Sequence, residues 1–257
     1  MPPVFSVQMS SVNDLITVVA TMTKETGRRW LFRGHTDASW ALLPAVYRGD
    51  YEGEAEQFLS QEFRARAGVR HSHRPQYADY ADWLALMQHY GLPTRLLDWT
   101  HSPLTAAFFA TERTMQHFAP SISGSCDAAI WALCPFELNR AQGLKPYIYP
   151  LNSGDLEPLV TAAFYEGGDT IPIAAAMAVE TDVRMQVQRG AFTIHGTRVP
   201  LDEISNCESW LRKFVIPARN VPALGLEVDT LGVGLADLFP DLGSLAKDLA
   251  SRIRRRR

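Results

Sequence analysis

Residues 87–100 read Met87-Gln88-His89-Tyr90-Gly91-Leu92-Pro93-Thr94-Arg95-Leu96-Leu97-Asp98-Trp99-Thr100. The stretch spells a helix end, a turn and a strand. Upstream, residues 79–90 set Trp83, Leu86, Met87 and Tyr90 on one helical face, and Gly91 suits the left-handed residue that follows a helix. Leu92-Pro93 stops that helix, because proline lacks an N–H and restricts the residue before it. Residues 96–99 then read as a short strand. Ser102 caps and Pro103 starts a further helix over 104–113.

The alternation continues in both directions. Ser11 opens an amphipathic helix with Leu15, Val18, Val19 and Met22 on one face and Gly27 as its stop. Residues 30–33 read as a strand ending at Gly34, and a helix follows over about 52–69. Later come a buried strand at 128–133, a helix from 155 to about 165, and an alternating strand at 183–187. Strands at 191–194 and 210–216 and helices at 221–231 and 242–253 complete the chain. Helices and strands mix without regular β-α-β repetition. The expected fold is therefore α+β: one domain, a mixed and mostly antiparallel sheet, and packed helices. No GxGxxG follows a strand and no GxxxxGK[ST] occurs, so dinucleotide-binding and P-loop folds have no support. The expected organisation is a helical lead-in at 1–27, the domain at 28–250 and a basic tail at 251–257.

With 257 residues, 46% hydrophobic and 21% charged, the chain can bury a full core and needs no staples. The three cysteines, Cys126, Cys134 and Cys207, form no CxxC pair, and Cys126 and Cys134 read as plain core thiols in a reducing compartment. The first residues lack the pattern of a signal peptide, and no apolar run reaches 18 residues. A cytoplasmic protein without a membrane partner is expected. Net charge is −3; removing Arg252 and Arg254 to Arg257 leaves −3 − 5 = −8 for the body. An acidic body disfavours broad contact with a phosphate backbone, and the arginines read first as a solvated helix end.

Two clusters carry chemistry. Residues 87–100 gather an imidazole, a guanidinium, a carboxylate, an amide and hydroxyls at one helix–turn–strand, where scaffolds present side chains into clefts. Residues 30–35, Trp30-Leu31-Phe32-Arg33-Gly34-His35, place Arg33 at the end of an apolar strand. A guanidinium there suits a phosphate or carboxylate, and Gly34 leaves room for a ligand's approach. Structural readings stand beside these. Arg33 pairs with Asp98 or another carboxylate; Arg95 and Asp98 pair with each other; His89 is a hydrogen-bonded imidazole near a helix end. Trp83, Leu86 and Met87 are core, and the Tyr90 ring joins them with its hydroxyl toward the cleft. His71 and His73 lack a nearby third ligand, so no metal is expected.

Residues 30–35, Trp40 to Pro44, Tyr47-Arg48, 88–100 and 103–110 together resemble the FRG domain. Segments 188–194 and 238–242 resemble later parts of the same family, so the likeness covers about 30 to 250. The stretch from Gln88 to Thr100 is its most specific part. A second resemblance is to ADP-ribosyltransferases of the R-S-E type. It implies an arginine on the first core strand, matched by Arg33, and an acid-bearing strand near 187–194. Here Gln188 stands where that pattern has a glutamate. The resemblance implies NAD as substrate, with ADP-ribose transferred to a protein or nucleic-acid acceptor or NAD hydrolysed, and no metal. His89, Asp98 and Gln188 are then the candidate catalytic groups. Arg33, Gly34, Gln88, Tyr90, Thr94, Arg95 and Thr100 are the candidate ligand contacts. The alternatives are a non-catalytic module for a nucleotide or phosphate, and a nucleic-acid-acting toxin or phage-defence effector.

Overall fold

The computed structural model describes residues 6–49, 51, 54–70, 74–116, 126–166, 172–177 and 190–254. Its strands are β1 (Ser6–Gln8), β2 (Leu31–His35), β3 (Leu96–Thr100), β4 (Ala128–Leu133), β5 (Tyr149–Pro150), β6 (Ile173–Met177), β7 (Gly190–His195) and β8 (Leu211–Ile216). They form one mixed sheet in the order β1-β8-β4-β2-β3-β7-β6-β5. The edge pairs β1–β8 and β5–β6 run parallel, and the pairs between them run antiparallel. This is the single α+β domain that the mixed element pattern predicts.

The helices are α1 (Val12–Thr26), α2 (Ala55–Ala67), α3 (Tyr80–His89), α4 (Pro103–Gln116), α5 (Pro135–Ala141), α6 (Glu157–Thr161), α7 (Val221–Thr230), α8 (Leu235–Leu238) and α9 (Leu242–Arg254). Their ends follow local chemistry. Ser11 and Asp14 form a capping box at α1, and Gly27 closes it in the left-handed region at φ 61°. Ser102 accepts from the Thr105 N–H at the start of α4. Gly91, at φ 78°, turns the chain out of α3. The lead-in helix is integral to the domain: Val12, Leu15 and Met22 are buried in the main core, and β1 extends the sheet through β8.

Among the described residues, two apolar clusters make up the core. Strand β3 feeds both, because alternate strand residues face opposite ways. Leu96 joins Trp83, Leu84, Met87, Leu159 and Phe164. Leu97 and Trp99 join Phe32, Ala106, Ala107 and Trp131. The helix predicted from 155 to about 165 is shorter: a 3-10 turn over Gly154–Leu156 leads into α6. The strand predicted at 183–187 lies outside the described residues.

The central pair of strands positions the site. β2 and β4 pair at five successive positions, from Leu31 opposite Leu133 to His35 opposite Ala129. β2 and β3 pair at one, Phe32 opposite Thr100. Beyond it the two strands part, and the sheet opens at its middle.

Candidate functional site

A cleft of about 460 Å³ lies at this opening. Its polar lining includes Arg33 from β2, Gln88 and His89 from α3, Asp98 from β3 and Glu112 from α4. Its apolar walls include Trp40, Trp99, Phe109, Phe192 and Phe239.

Arg33 bridges the gap between the parted strands. Its Nη1 donates to the Asp98 carbonyl at 2.7 Å, in place of a ladder hydrogen bond. Its Nε donates to His35 Nε2 at 3.1 Å. The Asp98 carboxylate lies 3.9 Å from Nη1, and the Arg33 side chain keeps only 19% of its surface exposed against 57% for Asp98. Burial draws the Arg33 guanidinium down to about 10, opposed by Asp98 and reinforced by Arg48. Because His35 accepts at Nε2, its ring is neutral with the proton on Nδ1. Burial, then Arg33 and Arg48, push its pKa down to about 3.

Asp98 is also held from across the cleft. Gln88 Nε2 donates to Asp98 Oδ2 at 2.7 Å. The Thr94 hydroxyl donates to Gln88 Oε1 at 2.5 Å and accepts from the Leu96 N–H. Thr94 therefore fixes which end of the amide faces the carboxylate. Thr94 itself is buried and acts behind Gln88. Thr100 lines the cleft and accepts from the Ser102 N–H.

The structure brings Arg33, Gly34, Gln88, His89, Asp98 and Thr100 to the cleft. It does not bring Arg95 there. Arg95 is buried against Glu56 of α2: Nη2 donates to Oε2 at 2.8 Å, Nε to both carboxylate oxygens, and the backbone N–H to Oε1. Arg95 stands just before β3 rather than within it, so the strand's alternation does not set its direction, and its guanidinium turns to α2 and to the Leu159 carbonyl. Asp98 accordingly pairs with Arg33, and Arg95 with a partner 39 residues away in sequence.

Two further expectations are corrected. Tyr90 is not a core ring: it is 59% exposed, stacks edge-on against His89 at 5.0 Å, and does not line the cleft. Helix α3 ends at His89, so Tyr90 leaves the face that Trp83 and Met87 share. Gly34 does not hold space open for a ligand. A Cβ there would stand 2.0 Å from the Ala106 carbonyl oxygen and 2.5 Å from the Ala110 nitrogen, so its missing side chain is what lets α4 rest on β2. Gln188 and the pair His71 and His73 lie outside the described residues. Leu86 is half-buried beside the core, Cys134 is buried and Cys126 partly so.

Glu112, Trp40 and Phe239 line the cleft as well, although Trp40 and Phe239 enter the sequence reading only through the family likeness, as does Arg48 nearby, and Glu112 not at all. Glu112 follows Phe109 by three residues, which sets both on one helical face. Arg48 is exposed, donates through Nε to the Leu43 carbonyl at 2.7 Å, and lies within electrostatic reach of Asp98. Phe239 arrives from the far end of the chain, within the segment 238–242 that carries part of the family likeness but is not read from sequence as part of the site.

No curated protein and no solved structure matches the chain. Among the described residues, no helix is long and apolar enough to cross a membrane. Residues 28–118 match the sequence model of the FRG domain. That span runs from β2 to α4 and contains Arg33, Trp40, Gln88, His89, Asp98 and Glu112, so the chain carries an FRG domain whose matched segment supplies most of the cleft's polar groups.

Proposed function

We propose that the cleft takes a nucleotide of the NAD kind and cleaves its nicotinamide–ribose bond, passing ADP-ribose to an acceptor or to water. The observation that carries this reading is the oriented carboxylate: Asp98, gripped by Gln88 and backed by Arg33, at the edge of an aromatic-walled cleft. Aromatic walls suit planar rings. A fixed carboxylate favours positive charge developing on the ribose carbon as nicotinamide departs. Glu112 adds a second carboxylate to the lining. Arg33 contributes charge rather than a two-pronged grip, because its Nε and Nη1 already serve His35 and the Asp98 carbonyl.

A second reading is binding without turnover. It is favoured by Gln188, a neutral amide at the position where the transferase pattern has an acid. Calorimetry with NAD, paired with a nicotinamide-release assay, separates the two. Binding with release that Asp98→Asn abolishes supports the transferase or hydrolase. Binding with no release above background supports the module. No heat with NAD or related nucleotides at millimolar concentration overturns both.

A further inference from the structure

Helix α9 packs the opposite way from an ordinary surface helix. Its leucines Leu242, Leu245 and Leu249 recur at the i, i+3, i+7 spacing of one apolar stripe. Such a stripe normally faces the core. Here Leu242 is 83% exposed, Leu245 42% and Leu249 53%. The side turned inward is polar: Asp248 is only 5% exposed, with its carboxylate beside Gly234, and Ser244 is half-buried. The helix therefore rests on the domain by its polar side and offers its apolar stripe outward.

Charge identifies what covers the stripe. Lys247 is exposed, and the sequence then brings Arg252 and Arg254 to Arg257, five arginines in six positions. The acids of the helix region are engaged elsewhere. Asp241 accepts from the Ser244 N–H and hydroxyl at 2.9 and 2.7 Å, and Asp248 faces the domain. Outward leucines beside a dense positive run match an interfacial helix, whose apolar residues enter the acyl boundary while its cations sit among anionic headgroups. Nucleic acid would use the arginines but leave the leucines in water. The acidic body, at about −8, is repelled by the same surface, so the contact is confined to this end of the molecule.

We propose that the helix over Leu242–Arg254 docks the protein flat on an anionic lipid surface. With 13 residues it spans about 20 Å, too short to cross the hydrocarbon core, so it lies in the plane.

Co-sedimentation of the full chain with vesicles tests this, comparing phosphatidylglycerol–phosphatidylcholine mixtures with pure phosphatidylcholine. Wild type is expected to bind the anionic vesicles at least tenfold better than the neutral ones. The double variant Leu245→Glu/Leu249→Glu should lose that binding with an unchanged melting temperature, because both positions are exposed. Replacing Arg254 to Arg257 by serine should weaken it and reduce its salt dependence. Absence of binding to anionic vesicles overturns the proposal, as does binding that survives the double leucine substitution. Sedimentation velocity covers the remaining occupant: a concentration-dependent dimer, abolished by the same double variant in a protein that ignores vesicles, assigns the stripe to a second copy of the chain instead.

Discussion

Gln88 Nε2 stands 2.7 Å from Asp98 Oδ2, and the amide that makes this contact is itself locked by the Thr94 hydroxyl. The turn between α3 and β3 thus brings Gln88 of the helix and Asp98 of the strand onto each other across ten positions. Asp98 cannot swing freely although it is largely exposed. Hydrogen bonds to a charged acceptor are the stronger kind, so this relay decides where the carboxylate points.

Gln88→Leu should therefore impair the cleft's chemistry without unfolding the protein. A hydrogen bond to a charged group is worth about 1.5–3 kcal/mol, or roughly 10- to 100-fold in rate. Nicotinamide release is expected to fall within that range while the affinity for NAD changes little. Gln88→Glu should do worse, since it sets one carboxylate against another. An equal loss of binding and turnover in Gln88→Leu would show that Gln88 touches the ligand directly.

Gly34→Ala should be a folding defect. The added Cβ meets the backbone of α4 at 2.0 Å, and backbone cannot yield as a side-chain tip can. Forcing β2 and α4 apart is expected to cost about 3 kcal/mol or more, at the upper end of overpacking penalties. Urea unfolding measures it. A variant of normal stability that has lost only NAD affinity would return Gly34 to the ligand-contact role.

Much of this architecture was legible locally. The α3–turn–β3–α4 succession carries its own caps and breaks at Gly91, Pro93, Ser102 and Pro103, and it appears where those residues put it. What the sequence could not show were placements decided by distant contacts. Strand β6 reads Ile-Ala-Ala-Ala-Met, and alanine is the best helix former. Its alanines are nonetheless fully buried in a strand, Ala175 in one apolar cluster and Ala174 and Ala176 in the other, which is a placement set by tertiary contacts. The same limit applies within the site. Asp98 was visible as a charge in an apolar strand, and Gln88 as part of the same motif. That Arg95 turns to Glu56 depends on α2, 39 residues earlier, and that Phe239 reaches the cleft depends on the chain's return at the far end.

The Arg95–Glu56 pair should be a stability element with no direct part in binding. Both side chains are almost wholly buried, so removing one partner strands the other's charge. Glu56→Gln or Arg95→Met is expected to cost about 3–5 kcal/mol. Replacing both together by apolar residues of similar volume should recover much of that loss, because no lone charge remains. Chemical denaturation of the two single variants and the double variant checks the cycle. Additive losses in the double variant would mean that the two residues act independently.

Two buried histidines should make the fold acid-sensitive well before its carboxylates titrate. His35 and His195 are both buried, and both have pKa values pushed down to about 3, in each case first by burial and next by the Arg33 charge. His195 Nε2 shares a hydrogen bond with the Thr193 hydroxyl at 2.9 Å, which in turn accepts from Trp99 Nε1. In the unfolded chain each imidazole takes a proton near its ordinary value of about 6.5. Below that value the unfolded state binds more protons than the folded one, so stability falls as pH drops from about 6.5 toward 3 and is level above 6.5. Each histidine should cost the fold about 2 kcal/mol at pH 5 relative to pH 7.5. Carboxylates complicate the total, so the decisive quantity is the difference between proteins. Thermal or urea unfolding from pH 7.5 to 4.5 should show a shallower slope for His35→Gln, and separately for His195→Gln, than for wild type. Slopes identical to wild type in both variants would mean that these rings are charged, or reached by water, within the folded protein.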